Sequence, residues 1–168
     1  IRVETIPHQG KGWAVRHGML RAVGTYRFMC DADLSMPIDY LAVFLEQIAS
    51  GYDVVIGSRE IDGAKRFDEP LSRHVNGRIF NFLVRVLLGA PFFDTQCGFK
   101  CFRGDVAEQL FNRQKIRGFG FDAEILYMAL RLNLKILELP IDWYHNSDSK
   151  VRPLTDGLAM LRDMIRIR

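Results

Sequence analysis

Residues 26–35 read Tyr26-Arg27-Phe28-Met29-Cys30-Asp31-Ala32-Asp33-Leu34-Ser35, an apolar run that ends in two carboxylates. Side chains on an extended segment alternate between its faces, so Asp31 and Asp33 point to the same side if the strand continues through them. Two like charges held this close are unfavourable unless a cation or a donor-rich ligand lies between them. The stretch therefore predicts a buried strand that leads into a binding site.

The simplest partner for these two carboxylates is a divalent metal. Oxygen ligands suit Mg²⁺ or Mn²⁺, and Mg²⁺ is usually held by one or two carboxylates together with substrate phosphates. The alternative is structural, with Asp31 capping a turn and Asp33 beginning the next helix, since Asp is favoured in both places. The motifs that follow in the sequence favour the metal.

Composition predicts a single globular domain over residues 1–168. Of the 168 residues, 48% are hydrophobic and 26% are charged, so the chain can bury one sizeable core and is not of the disordered class. The net charge of +3 is too weakly basic to indicate nucleic acid, and we expect no nucleic-acid partner. No internal repeat or low-complexity linker divides the chain.

The cysteines and the apolar runs indicate a cytoplasmic setting. Three cysteines make an odd count without a secretion signal, which predicts reduced thiols. Cys97 and Cys101 lack the second Cys or His pair that zinc requires. No uncharged apolar run reaches about 18 residues, so we expect no membrane span here.

Strand and helix patterns alternate along the chain. Since βαβ units build parallel sheets, the pattern predicts an α/β fold with a mostly parallel sheet flanked by helices. The predicted strands are 1–6, 26–30, 52–57, 98–102 and 134–141, and the predicted helices are 13–23, 37–49, 70–88, 105–111, 122–132 and 154–167. The chain has no initiator Met and opens directly in a strand pattern, which suggests a piece of something longer.

Two further segments point to a phosphate ligand. Arg59 follows the strand 52–57, and ligands of open α/β sheets lie beyond the carboxyl ends of strands, where a guanidinium suits a diphosphate. The turn Gln9-Gly10-Lys11-Gly12 precedes a helix whose amino end favours an anion. A plain surface Arg59 and an ordinary turn at 9–12 are the alternatives.

Taken together and in order, five motifs resemble family 2 glycosyltransferases. The likeness is greatest to the dolichyl-phosphate β-glucosyltransferase branch and its bacterial polyprenyl-phosphate relatives. The motifs are His8-Gln9-Gly10-Lys11-Gly12-Trp13-Ala14-Val15-Arg16-His17-Gly18-Met19, Asp31-Ala32-Asp33-Leu34-Ser35, Gly57-Ser58-Arg59, Asp94-Thr95-Gln96-Cys97-Gly98-Phe99-Lys100 and Phe119-Gly120-Phe121-Asp122-Ala123-Glu124.

The resemblance implies a GT-A fold that lacks its amino-terminal part, so that 1–168 form the carboxyl-terminal portion of the catalytic domain. It implies that Asp31 and Asp33 hold Mg²⁺ or Mn²⁺ against the diphosphate of a nucleotide-sugar. We expect the donor phosphates to be bound by Lys11, Arg16, Asp31 and Arg59.

The implied reaction is inverting transfer of a hexose, with glucose favoured, from a donor such as UDP-glucose to a polyprenyl or dolichyl phosphate. The acceptor phosphate has a second pKa near 6 and is largely dianionic at neutral pH, so a strong base is unnecessary. Asp94 and Asp122 compete for a catalytic or acceptor-orienting role, and Asp94 ranks slightly first. Asp122 is alternatively a helix amino-terminal acid favoured by the macrodipole.

A lipid-linked acceptor requires contact with a membrane surface, and residues 71–88 mix apolar bulk with three arginines. An apolar face that simply packs on the sheet is the alternative. We expect a peripheral, cytoplasmic protein. The candidates for binding the acceptor phosphate are Arg73, Asn76, Arg78 and Lys100, with Lys150 as a further one.

Three other functions remain open from the sequence. The first is the same transfer with another donor or acceptor, such as mannosyl transfer to a polyprenyl phosphate. The second is a nucleotide-sugar-binding protein without activity, although such a protein would not need Asp94 and Asp122. The third is a nucleotidyltransferase, which should carry a basic Gly-rich loop at its first strand that this sequence does not contain.

Overall fold

The structure is a computed structural model that describes residues 3–146 and 153–167, except for the side chains of residues 72, 73 and 153–156. Helices and strands alternate along the chain, as the sequence predicts. In order they are α1 (Lys11–Arg21), β1 (Tyr26–Cys30), α2 (Tyr40–Ala49), β2 (Val54–Ser58), β3 (Lys65–Phe67), α3 (Leu71–Leu88), β4 (Phe99–Arg103), α4 (Gly104–Arg113), α5 (Phe121–Arg131), β5 (Ile136–Pro140), β6 (Asp142–Tyr144) and α6 (Pro153–Ile167).

The main sheet has the strand order β1-β4-β2-β5. β2 and β5 pair in parallel, whereas β4 runs antiparallel to both of its neighbours, β1 and β2. The predicted α/β class is confirmed, and β1, β2 and β5 share one direction as a mostly parallel sheet requires. Neighbouring strands nevertheless pair in both parallel and antiparallel fashion, because the chain enters β4 from the same edge at which β1 and β2 end.

The core fills both faces of this sheet, and the side chains of β4 alternate between them. On one face, covered by α2, Phe99 packs edge to face on Phe28 and Phe44, with ring centroids 4.5 and 5.1 Å apart. On the other face, covered by α1, α4 and α5, Phe102 packs on Phe111 at 5.4 Å. β4 therefore joins the two halves of the core.

The cysteines behave as the sequence predicts. Cys30, Cys97 and Cys101 are free thiols, and the last two are buried. Burial raises the pKa of Cys97 to about 12 and that of Cys101 to about 11, so both stay protonated at neutral pH. They act as small apolar residues in the core.

Helix α3 has two apolar sides. One side carries Val84 and Leu88, which form a buried cluster with Ala123 of α5 and Met164 of α6. The other side leaves six apolar residues exposed, which are Leu71, Val75, Ile79, Phe82, Leu83 and Val86. Among the described residues, none of the helices is both long enough and apolar enough to cross a bilayer.

Three predicted elements differ from the structure. Ile1 and Arg2 of the predicted first strand lie outside the described residues, and residues 3–10 are irregular because they pair with no strand of the described chain. α2 begins at Tyr40 rather than at residue 37, since residues 37–41 first form i to i+3 turns. The predicted strand 134–141 is shorter, and the chain after it forms β6, which pairs with β3 in a separate small sheet.

We predict that Phe99→Ala lowers the free energy of unfolding by about 3–5 kcal/mol, because it opens a cavity between Phe28 and Phe44. Urea denaturation followed by circular dichroism measures this change. Phe82→Ala is the control, since Phe82 is 62% exposed and its loss should change the free energy by about 0.5 kcal/mol or less. Equal effects of the two variants would contradict this placement of the core.

Candidate active site

One edge of the main sheet gathers most of the predicted site residues. Asp31 follows β1 and Arg59 follows β2, so both lie beyond carboxyl ends of strands, as expected. β4 begins at the same edge, and its preceding bend contacts both residues through Gly98 and Asp94. The antiparallel course of β4 thus completes the site.

Asp31 lies between Lys11 and the backbone of Gly98. The ammonium nitrogen of Lys11 is 2.7 Å from Oδ1 and 3.0 Å from Oδ2 of Asp31, so both oxygens face one cation. The Asp31 amide donates to the Gly98 carbonyl at 3.1 Å, which extends the pairing of β1 with β4 by one residue. A Cβ at position 98 would overlap the Asp31 carboxylate, so only glycine leaves room for it.

Asp33 lies in a turn. The strand does not continue through Asp31 and Asp33, so the condition under which the two side chains are predicted to point to the same side is not met. β1 ends at Cys30, and Asp33 Oδ1 accepts a hydrogen bond from the Ser35 amide at 3.0 Å. Leu34 has a φ of 53°, a left-handed conformation that costs a bulky residue about 1–2 kcal/mol. Burial and the charges of Asp31 and Asp33 all raise the pKa of the Cys30 thiol. Both carboxylates therefore lie close to the end of β1.

Arg59 and Asp94 form a forked ion pair. Arg59 Nε and Nη2 donate to the two oxygens of Asp94 at 2.6 and 2.9 Å, and the Arg59 amide adds a third bond at 3.1 Å. Asp94 has no exposed surface. Burial alone would raise the pKa of Asp94, but the Arg59 guanidinium outweighs burial and holds that pKa well below its usual range. Asp94 is therefore a permanent anion whose oxygens are occupied.

Two residues that the sequence analysis does not single out support the bend before β4. Glu138 of β5 accepts hydrogen bonds from the amides of Phe93 and Asp94 at 2.8–3.1 Å. Asn81 of α3 accepts from the amide and hydroxyl of Thr95 at 3.3 and 3.1 Å. Each is a polar residue inside an apolar run, and that pattern is the signal by which the sequence could have revealed them.

Trp143 of β6 also helps to hold Arg59 in place. The guanidinium carbons of Arg59 and Arg66 lie 5.5 and 5.8 Å from the centroid of the Trp143 ring, a distance at which cation–π attraction operates. Arg66 Nε also donates to the Arg59 carbonyl at 3.1 Å. The small sheet of β3 and β6 therefore fixes the backbone and side chain of Arg59.

Lys100 and Asp122 form a second buried pair beside the first. Lys100 Nζ donates to Asp122 Oδ1 at 2.6 Å and to the Cys97 carbonyl, and both charged side chains are almost fully buried. Burial raises the pKa of Asp122, against the opposing charges of Lys100 and Lys11. Lys100 is therefore buried and paired with Asp122, and its contact with an acceptor phosphate stays a prediction.

The glycines of the turn at 9–12 have a packing role. Gly10 has a φ of 108°, and a Cβ there would overlap the Arg117 carbonyl. A Cβ at Gly12 would meet Phe121 at 2.7 Å. These glycines let α1 approach residues 116–121, which places Lys11 at the site. The close approach that the sequence predicts is therefore to protein, and Lys11 is the residue of this turn that reaches the site.

Five predicted phosphate ligands lie elsewhere or are undescribed. Arg16 donates from Nε to the Phe111 carbonyl at 2.8 Å, at the carboxyl end of α4, so it does not join the site. Arg78 binds Glu60 at 2.6 Å, and Asn76 is exposed on α3. The side chain of Arg73 and all of Lys150 lie outside the described residues.

Asp31 and Asp33 fit a metal that is shared with a substrate. In residues 3–146 and 153–167, no three His, Cys, Asp or Glu side chains converge to hold a metal alone. Mg²⁺ does not require such a cage when substrate oxygens complete its octahedron. Asp31 is half-buried, Asp33 is exposed, both offer only oxygen, and Asp31 already binds a cation. This donor set suits Mg²⁺ or Mn²⁺.

Solved structures identify the class of fold as that of GT-A glycosyltransferases. A crystal structure of a mycobacterial protein matches 98% of this chain and 52% of its own, with a TM-score of 0.67 at 20% identity. Glucosyl-3-phosphoglycerate synthase from Mycobacterium tuberculosis, in complex with Mn²⁺ and UDP-glucose, matches 96% of this chain and 54% of its own, with a TM-score of 0.63 at 19% identity. At these identities the likeness concerns the fold alone.

The chain belongs to glycosyl transferase family 2, whose family model matches residues 1–111. It is 34% identical to the dolichyl-phosphate beta-glucosyltransferase of Dictyostelium discoideum over 96% of this chain and 51% of the relative. The corresponding enzyme of Drosophila melanogaster is 35% identical over 99% and 54%. Glycosyltransferase AglD of Haloferax volcanii is 33% identical over 94% and 25%. The predicted resemblance is confirmed, and the chain spans about half the length of the two dolichyl-phosphate relatives.

We predict that Asp94→Asn destabilises the protein by about 3–5 kcal/mol at pH 7, because it leaves the Arg59 guanidinium without its buried counter-charge. The folded-state pKa of Asp94 is depressed, so its contribution is complete above the unfolded Asp pKa of about 3.9 and is lost as pH falls below it. The difference in the free energy of unfolding between Asp94→Asn and the wild type should therefore become smaller only below about pH 4. Urea unfolding at pH 7, 5 and 3 measures it.

Asp105→Asn is the matched control for this prediction. Asp105 also binds an arginine, Arg103, but 68% of its side chain is exposed. An exposed pair contributes about 1 kcal/mol or less, so this variant should unfold close to wild type. A loss for Asp94→Asn as small as that for Asp105→Asn would contradict the buried ion pair.

Proposed function

We propose that the protein transfers a hexose, with glucose favoured, from a nucleotide-diphosphate sugar such as UDP-glucose to a dolichyl or polyprenyl phosphate. The observation that carries this proposal is the cluster of Asp31, Lys11 and Arg59 at the sheet edge, which combines a metal-ligating carboxylate with two cations for a diphosphate. Two relatives are named dolichyl-phosphate beta-glucosyltransferases, which supports the choice of sugar and acceptor.

Stabilisation of the leaving diphosphate is the main requirement of this reaction. Asp31 and Asp33 would hold Mg²⁺ or Mn²⁺, and the bound ion would neutralise charge on the departing diphosphate. The fold relative from M. tuberculosis was crystallised with Mn²⁺ and UDP-glucose, which supports this choice of ligands. Lys11 and Arg59 would supply positive charge beside the same group.

Arg59 retains one nitrogen for this task. Its Nε and Nη2 are occupied by Asp94, whereas Nη1 makes no contact with that carboxylate. The side chain is 20% exposed, and we propose that Nη1 is the nitrogen that binds the diphosphate at the sheet edge. In this arrangement Asp94 orients the Arg59 guanidinium and keeps it charged.

The acceptor phosphate attacks the anomeric carbon in one displacement as a dianion, so no proton needs to be removed. The contacts of Asp94 favour a positioning role over the catalytic role that ranks first in the sequence analysis, because both of its oxygens are bound to Arg59. Asp122 is bound to Lys100 through Oδ1 alone, and it lies near Lys11. We propose that Asp122 and Lys100 together orient the reacting groups from beneath the site.

The exposed side of α3 is the proposed contact with the membrane surface. Its apolar residues recur at helical spacing, and a groove of about 320 Å³ opens at its carboxyl end between Phe82, Arg85, Val86, Gly89 and Ala90. Arg85 lies over the exposed Phe93 ring at 4.4 Å, as basic residues do at an interface. Asn81 on the inner side of α3 binds Thr95, next to Asp94, so a lipid-facing helix borders the site.

Transfer of a sugar from a different donor is the second candidate, because AglD of H. volcanii, which is similar over 94% of this chain, is named only as a glycosyltransferase. A comparison of UDP-glucose with GDP-mannose as donors separates the two. A nucleotide-sugar-binding protein without activity would bind donor in that assay and form no product.

We predict that the full chain, given Mn²⁺ or Mg²⁺, moves glucose from UDP-glucose onto a short polyprenyl phosphate. Asp33→Ala should lower the rate by about 100-fold or more, because one charge-stabilising ligand is lost at the diphosphate. Product is measured by chromatography of radiolabelled lipid, with GDP-mannose as the competing donor. Asp39→Ala is the control, since Asp39 is exposed on the same segment and its side chain caps no helix. Donor binding without product in the presence of metal would refute transferase activity.

We also predict that the exposed side of α3 binds lipid. Replacing Ile79, Phe82 and Val86 together by Ser should weaken binding to phosphatidylcholine–phosphatidylserine vesicles by about tenfold or more. Each substitution removes about 1.5 kcal/mol or more of the free energy that is gained when the apolar side chain is buried in the lipid. Sedimentation with vesicles measures the binding. Leu158→Ser with Ile165→Ser is the control, as both residues are exposed on α6. An equal loss in the control would contradict a specific role of α3.

A further inference from the structure

We propose that Lys11 and the divalent metal exchange on Asp31, so that metal binds well only together with the donor diphosphate, which takes over the Lys11 ammonium. The inference rests on the proposed function, because it assigns a second binding state to a residue of that site.

The competition follows from the geometry of the ion pair. Lys11 Nζ lies within 3.0 Å of both oxygens of Asp31, so it occupies the side of the carboxylate that a metal would coordinate. A metal ion and an ammonium cannot share this position, because two cations at that distance repel each other and need the same lone pairs. Metal binding to Asp31 therefore displaces Lys11.

Asp31 is held more firmly than Lys11. Its amide donates to the Gly98 carbonyl, and its carboxylate lies directly beside Gly98. Lys11, in contrast, has four rotatable bonds and stands at the first residue of α1. The lysine is therefore the partner that moves.

Displaced Lys11 needs another anion nearby. The ammonium of Lys11 lies near the carboxylates of Asp31 and Asp122, and the like charge of Arg59 is also close to it. The remaining buried carboxylates already hold cations, since Asp122 binds Lys100 and Asp94 binds Arg59. The diphosphate of a donor is the group that could accept the ammonium.

The charge balance of the cluster leads to the same result. Asp31, Asp94 and Asp122 are matched by Lys11, Lys100 and Arg59, and the exposed Asp33 adds one negative charge. A divalent ion alone would leave this partly buried group with one excess positive charge, which is unfavourable. A metal that arrives with a diphosphate adds compensating negative charge. Metal and donor should therefore strengthen each other's binding by the same factor, as linkage requires.

The test measures Mn²⁺ binding to the full chain by electron paramagnetic resonance, without and with UDP-glucose. Without donor, Lys11→Met should bind Mn²⁺ about fivefold or more tightly than wild type, because the competing cation is gone. With donor, the gain in Mn²⁺ affinity that UDP-glucose produces should be smaller in Lys11→Met than in wild type. Lys11→Arg keeps the cation and should resemble wild type in the donor-free measurement.

Lys135→Met is the matched control, since Lys135 is exposed ahead of β5 and its removal changes the net charge equally. If Lys11→Met binds Mn²⁺ without donor no more tightly than Lys135→Met, the exchange is refuted. The exchange is equally refuted if Lys11→Arg binds as tightly as Lys11→Met, because charge competition would then be absent. Thermal melting of each variant confirms that it is folded before binding is measured.

The donor-free measurement separates this inference from the proposed function. Tighter Mn²⁺ binding by Lys11→Met in a protein that forms no glycolipid would support the exchange and refute the transferase. Metal-dependent transfer together with unchanged donor-free Mn²⁺ affinity in Lys11→Met would support the transferase and overturn the exchange.

Discussion

The buried ion pair of Arg59 and Asp94 is the contact on which the site depends. It ties the end of β2 to the bend before β4, and the rest of the site is arranged around that bend. A fully buried carboxylate is unfavourable unless it is paired and hydrogen-bonded, and here Arg59 supplies three donors and Gln96 a fourth. The same bend presents Gly98 to Asp31, so the ion pair also determines the position of Asp31.

Around this pair the protein keeps opposite charges in contact at the edge of an apolar core. Each carboxylate of the cluster has a cation as its partner, and the partners come from different elements, namely α1, β4 and the segment after β2. Such an arrangement is costly to assemble, since every member must be desolvated. It holds the Arg59 guanidinium as a fixed charge at the edge of the sheet, and a fixed charge needs no rearrangement during a reaction.

Sequence patterns predicted the elements better than the contacts between side chains. Asp31 and Arg59 could be placed at one edge because both follow apolar strand patterns, and the structure confirms that edge. The roles of Arg16 and Lys100 could not be predicted, because the partners that bind them, the Phe111 carbonyl and Asp122, are distant in sequence. The turn at Asp33 was hidden for a related reason, as a short stretch does not reveal where strand pairing stops.

By itself the sequence determined the α/β class, the family and the residues that carry charge at the ends of the strands, because periodicity and ordered motifs are local properties of the chain. Only the tertiary structure decided which charges neutralise each other. Three contacts join segments at least 20 residues apart, namely the antiparallel pairing of β4 with β1, the ion pair of Asp94 with Arg59 and the contact of Lys11 with Asp31. Such contacts depend on how strands are ordered in the sheet, and strand order is set by the packing of the whole core rather than by any local pattern.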